Sequence, residues 1–168
     1  KRNLLMAKVI MVSGGNAGLG LEISQRLLDL GHRVVAFGLA EHQQKQTDNF
    51  AVDQINFLVA DLTQEDQIQQ VCAKTIEYFG RIDAIVNNAA LGPLGTVENT
   101  SVEQWQAIHN VNLLGPFIFI KSALPYIKKQ GGGCVINVGS GAGWGKANML
   151  AYATSKGGLM AFNQALAL

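Results

Sequence analysis

The feature that most constrains this chain is an alternation. Short apolar runs recur between longer segments whose apolar residues fall at helical spacing. Ala7–Val12 (AKVIMV) is the first run. Ala17–Gly31 follows, with Leu19, Ile23, Leu27 and Leu30 on one helical face and Gly31 as the stop. His32–Gly38 and Ile55–Ala60 read as further strands. Thr63–Gly80 reads as a helix with Thr63 as N-cap, acids in its first turn, and Ile68, Val71, Cys72, Ile76 and Phe79 facing inward. Ile82–Ala89 is a fourth strand, and Val102–Ile127 a mostly helical stretch with breaks expected near Gly115 and Pro125. Gly131–Ser140 holds a fifth strand, and Tyr152–Leu168 is a last helix. Continuous apolar strands are buried on both faces. Strands alternating with helices must lie parallel, joined by right-handed crossovers. The expected fold class is therefore α/β, a doubly wound parallel sheet with helices on both faces.

The 168 residues suit one domain, 1–168. With 13 basic and 12 acidic residues, and no basic run interleaved with aromatics, a nucleic-acid partner is not expected. Cys72 and Cys134, like His32, His42 and His109, are too scattered for a metal site. The opening stretch KRNLLMAKVIMVSGG mimics a signal peptide, but Lys8 interrupts its apolar run and no cleavage-type sequence follows. The apolar stretch Val111–Ile127 carries Asn112, Lys121 and two prolines. It falls short of the ~20 residues a membrane helix needs. The composition reads as a soluble cytoplasmic protein with no membrane partner.

Between the first strand and the first helix stands SGGNAGLG, Ser13–Gly20. Gly14 can take the backbone angles of a tight turn, and Gly18 and Gly20 let the backbone approach a ligand. The following helix start offers free N–H groups and a positive dipole to an anion such as a pyrophosphate. The lysine of a nucleoside-triphosphate loop is missing, and the spacing differs from the G-x-G-x-x-G dinucleotide fingerprint. Downstream, Tyr152 and Lys156 in YATSK share one helical face. Ser140 ends the fifth strand, at the sheet edge where open parallel sheets bind ligands. Asn112 places an amide where an apolar residue would be expected.

Taken together these residues resemble the short-chain dehydrogenase/reductase superfamily, of the compact single-domain type, over essentially the whole chain. The family's T-G-x-x-x-G-x-G is matched by SGGNAGLG, with Ser13 for Thr, and its N-N-A-G by Asn87–Ala90, with Ala90 for Gly. Its catalytic Asn, Ser and Y-x-x-x-K fall on Asn112, Ser140, Tyr152 and Lys156. The resemblance implies a Rossmann-type fold and reversible hydride transfer between a nicotinamide cofactor and an alcohol/carbonyl pair. Tyr152 would exchange a proton with the substrate oxygen, and the Lys156 ammonium would favour its phenolate. Ser140 would hold the same oxygen. Lys156 would also hold the nicotinamide ribose, and Asn112 would anchor a water linking Lys156 to solvent. Gly14, Asn16, Gly18, Leu19 and Gly20 would wrap the diphosphate, Asp61 and Leu62 would meet the adenine, and Asn88 would line the adenosine side. The alternative for Asp61, less favoured, is a plain loop residue or cap.

The resemblance leaves NAD and NADP open, with a lean to NADP. Gly38 stands where NAD enzymes carry an acid, so a 2′-phosphate meets no repulsion there, and Gly38→Asp should favour NAD. Leu39 and Ala40 cannot bind a phosphate, while His42 and Lys45 could reach one. Ala142, Trp144, Met149 and Leu91 predict an apolar substrate wall without a charged anchor. The chain stops within an apolar helix, so the C-terminal strands and substrate-binding segment of the family are expected to lie beyond it. The resemblance further implies a homodimer or homotetramer acting on a small-molecule alcohol or carbonyl. A catalytically silent, cofactor-binding homologue is the alternative reading.

Overall fold

The computed structural model describes residues 7–40 and 54–167. His42 and Lys45 lie outside them. Five parallel strands form one sheet in the order β3-β2-β1-β4-β5. They are β1 (Val9–Ser13), β2 (Arg33–Gly38), β3 (Ile55–Val59), β4 (Ala84–Asn87) and β5 (Cys134–Asn137). The helices are α1 (Gly18–Asp29), α2 (Glu65–Phe79), α3 (Val102–His109), α4 (Gly115–Lys129) and α5 (Leu150–Leu166). This is the expected Rossmann-type α/β architecture. The order reverses at β1, which pairs with β2 on one side and β4 on the other; Ser13 stands opposite both Phe37 and Asn87. A crevice opens at such a reversal, beyond the carboxyl ends of the strands.

Side chains alternate between the two faces of the sheet and build two cores. Met11, Val35, Phe37 and Ile85 meet Ile68 and Cys72 of α2 and Phe119 of α4 on one face. The Phe37 and Phe119 rings meet edge to face at 5.0 Å. On the other, Ile10, Val12, Val34 and Val86 pack with Leu28 of α1. Burial pushes the Cys72 thiol up to about 12, leaving an inert core residue.

Three local expectations need correction. Thr63 does not cap α2. Its hydroxyl donates to Asp61 Oδ1 at 2.8 Å, and α2 starts from an extended Gln64 without a side-chain cap. The stretch from Val102 is not broken at Gly115 but widened just before it, by one π turn over Asn110–Leu114. Gly115 is small because Leu62 packs onto it, 2.7 Å from where a Cβ would stand. Pro125 lies inside α4, which runs on to Lys129. Pro removes one N–H of the ladder, but eight buried residues of α4 hold the helix to the sheet and neighbouring helices.

Candidate active site

The glycine-rich turn has little freedom. Gly14 sits at φ +63°, a left-handed conformation that a Cβ disfavours. At Gly20 a Cβ would collide with the Gly14 carbonyl. The turn is tied down from β4. Asn88 Nδ2 donates to the carbonyls of Ser13 and Gly14 at 3.1 and 3.3 Å. The Ser13 hydroxyl donates to Val86 O at 3.3 Å and accepts from Asn88 N and Ala89 N at 3.1 and 3.2 Å. Ser13 therefore knots the turn to β4, a role the spacing did not show. Its hydroxyl, standing where the family has Thr, was the available signal.

α1 begins after Ala17, with no side-chain cap and no acid in its first turn. Its leading N–H groups remain available to an anion. A groove of about 440 Å³ opens in front of them. Gly14, Asn16, Leu19, Asp61, Leu62, Asn88, Tyr152 and Lys156 all line it. Gly18 and Gly20 do not; they shape the turn behind. A glycine cradle, an uncapped helix start and a long groove fit a dinucleotide with its diphosphate at α1.

At the β2 end of the groove, Asn16 is buried, and its Nδ2 donates to Leu39 O at 3.0 Å. Its Oδ1 lies over Gly38, where any Cβ would collide with it. The carboxamide thus fills the corner in which an acid on β2 would stand, and a Gly38→Asp replacement must displace it. Asp61 both lines the groove and stabilises its own loop, accepting from Thr63 N and Oγ1 at 2.9 and 2.8 Å.

At the other end, α5 presents Tyr152 and Lys156 one turn apart. Lys156 is 3% exposed, and its Nζ donates to Val138 O, just beyond β5, at 2.7 Å. The ammonium lies 5.8 Å from the centre of the Tyr152 ring. Burial holds the Lys156 pKa below its ordinary value, because a desolvated ammonium is costly. Ser140 accepts from Ala142 N at 3.2 Å, capping a short 3-10 turn at Gly141–Trp144. It lines a second cavity of about 710 Å³ with Ala142, Met149 and Lys146. Tyr152 stands on the wall of both cavities, as does Ala90.

Asn112 lines neither cavity. Both protons of its amide are engaged, by Leu91 O at 2.8 Å and Ser155 Oγ at 2.9 Å, and its Oδ1 accepts from Leu91 N at 2.8 Å. Ser155 Oγ in turn donates to Tyr152 O at 2.7 Å. The side chain thus locks the loop after β4 to α5 beside Lys156. Its amide protons are not free to hold a water. Of the expected apolar wall, Ala142 and Met149 line the second cavity, Leu91 lines the groove, and Trp144, 86% exposed, lines neither; Lys146 adds a charge.

Comparison with known proteins gives a consistent picture. The short chain dehydrogenase family matches residues 8–168. An uncharacterized oxidoreductase of Thermotoga maritima is 33% identical over 96% of this chain and 65% of its own length. A short-chain dehydrogenase from Streptomyces avermitilis superposes with TM-score 0.89 at 26% identity, over 97% of this chain and 60% of that one. A 3-ketoacyl-(acyl-carrier-protein) reductase from Brucella melitensis, complexed with NADH, superposes with TM-score 0.87 at 26% identity, over 95% and 68%. This chain thus spans less than two thirds of the first two relatives. With the glycine turn, the strand order and the family match in agreement, the chain belongs to the short-chain dehydrogenase family.

Proposed function

We propose that the protein carrying this chain is an NAD(P)-dependent oxidoreductase that interconverts an alcohol and a carbonyl. One observation carries the reading. Tyr152 stands on the wall shared by two cavities, with Lys156 lining the first and Ser140 the second. A phenol at that junction can exchange a proton with a substrate oxygen in the second cavity. The Lys156 ammonium lies 5.8 Å from the centre of that ring. The Ser140 hydroxyl accepts from Ala142 N and donates to no group among the described residues, so its O–H can donate to the same oxygen as charge develops. Asn112 acts as a positioning residue through Leu91 and Ser155.

The bound nicotinamide would supply the hydride chemistry. Gly14, Asn16, Gly18, Leu19, Gly20, Asp61, Leu62 and Asn88 would hold or shape its adenosine and diphosphate side, and Tyr152 and Lys156 the other end. NAD or NADP both suit the groove, with a lean to NADP because β2 ends without a carboxylate. The substrate is a small molecule. Leu114 and Phe117 are exposed at 43% and 46% in and beside α4, which supports a homodimer or homotetramer built on this region. Among the described residues no helix is long and apolar enough to cross a membrane.

Tyr152→Phe in the full natural chain is expected to lower turnover by about 10²–10⁴ while leaving cofactor affinity within a few-fold. Steady-state rates with NAD and NADP, beside a direct cofactor titration, check this. Near-wild-type turnover of the variant would overturn the assignment.

A further inference from the structure

The wall of the second cavity, expected to be apolar, carries one charged residue. Among the residues on its wall, Lys146 is the one charged side chain, and there is no carboxylate. Its ammonium has no hydrogen-bond or ion-pair partner among the described residues, whereas Lys8 and Lys121 are paired with Asp83 and Glu65.

The turn that carries it is built rather than loose. Gly145 sits at φ +103° and Asn148 at φ +59°, the one non-glycine residue in left-handed conformation among those described. Such backbone persists where surrounding contacts over-determine it. Here Gly95 N donates to Asn148 O at 2.8 Å and Leu150 N to Gly95 O at 3.0 Å, clamping the turn to the loop after β4. Met149 N closes it onto Lys146 O at 3.3 Å. The clamp fixes the backbone that carries the exposed Lys146, on the same wall as Ser140 and Tyr152. A carbonyl held by those two residues would therefore share its cavity with one unpaired cation.

We propose that Lys146 is an anion-binding residue of the substrate cavity, and that the substrate is a hydroxy acid or oxo acid whose carboxylate it pairs with. This deepens the oxidoreductase reading and rests on it. A carboxylate at Lys146 gains a charge-assisted hydrogen bond beside a wall that carries no acid among the described residues. A neutral alcohol or ketone gains nothing from it.

The test uses the full natural chain with matched pairs: acetoacetate against methyl acetoacetate, and 2-oxobutyrate against 2-butanone. Wild type should favour each acid. Lys146→Gln should raise KM for the acids about tenfold, leave kcat and the neutral partners within about twofold, and Lys146→Arg should restore most of the difference. Trp144, two positions away and 86% exposed, gives a readout independent of turnover. Titration with 2-oxobutyrate should change tryptophan fluorescence saturably in wild type and not in Lys146→Gln. Equal effects on acids and neutral partners, or saturable binding unchanged by Lys146→Gln, would overturn the proposal, as would absence of saturable binding in wild type. If the acids bind through Lys146 but no compound of either kind is turned over, the anion site stands and the oxidoreductase reading fails.

Discussion

Asn16 and Gly38 show how a single contact redirects an engineering idea. An acid at the end of β2 favours NAD by meeting a ribose hydroxyl. Here the buried Asn16 carboxamide already occupies that space and is bonded to Leu39 O. Gly38→Asp alone must push it out, so this variant is expected to bind both cofactors several-fold more weakly. Gly38→Asp combined with Asn16→Gly opens the corner and is expected to raise the NAD-to-NADP affinity ratio. Calorimetric titration of both variants with both cofactors checks the pair. The glycine turn, Tyr152 and Lys156 were legible because their signal is spacing along one strand–turn–helix or one helical face. Asn16 over Gly38 was not, because that contact joins two loops through the fold and leaves no periodicity. Lys146 was missed for a related reason: which way a glycine-flanked turn faces depends on its clamp at Gly95.

At the scale of elements, Asp83 holds the amino ends of the strands together. Its carboxylate accepts from Val9 N at 2.9 Å and from Arg81 Nε and Nη2 at 2.8 and 2.6 Å, with Lys8 Nζ at 3.5 Å. Burial works to raise its pKa, but the hydrogen bonds from Arg81 and Val9 and the charges of Arg81 and Lys8 outweigh it, and the net shift is downward. A lowered carboxylate stabilises the fold above its unfolded value near ~3.9, and that contribution is lost as pH falls through the folded value. Asp83→Asn should therefore lower the denaturation midpoint clearly at pH 7, with wild type and variant converging towards pH 2. Urea unfolding at both pH values checks the sign. The strands and helices themselves were readable from apolar periodicity. Their junctions were not: the π turn at Asn110–Leu114 follows from how Asn112 and Leu62 pack, which only the assembled sheet decides.

On the scale of the whole molecule, the sheet is closed unevenly. On β5, Cys134 is exposed and Ile136 is 48% exposed on one face, while Val135 packs into the core and Asn137 donates to Asn163 of α5 at 2.9 Å on the other. β5 is also an edge strand among the described residues. Edges with apolar exposure invite pairing between copies, and a charge on such a strand opposes it. Ile136→Lys in the 168-residue chain is expected to reduce concentration-dependent association, as read by sedimentation velocity or light scattering. The central place of β1 has a consequence for how the protein is made. Its contact with the β2 side, Asn16 to Leu39, spans 23 residues, whereas its tie to Asn88 spans 75. At translation speeds of about 5–20 residues per second, the second partner emerges ~4–15 s after the first residues of the turn. During that interval a nascent chain displays the glycine turn with one flank built and the other absent. The carbonyls of Ser13 and Gly14 then await the amide that holds them, so the turn reaches its tied shape only after β4 has left the ribosome.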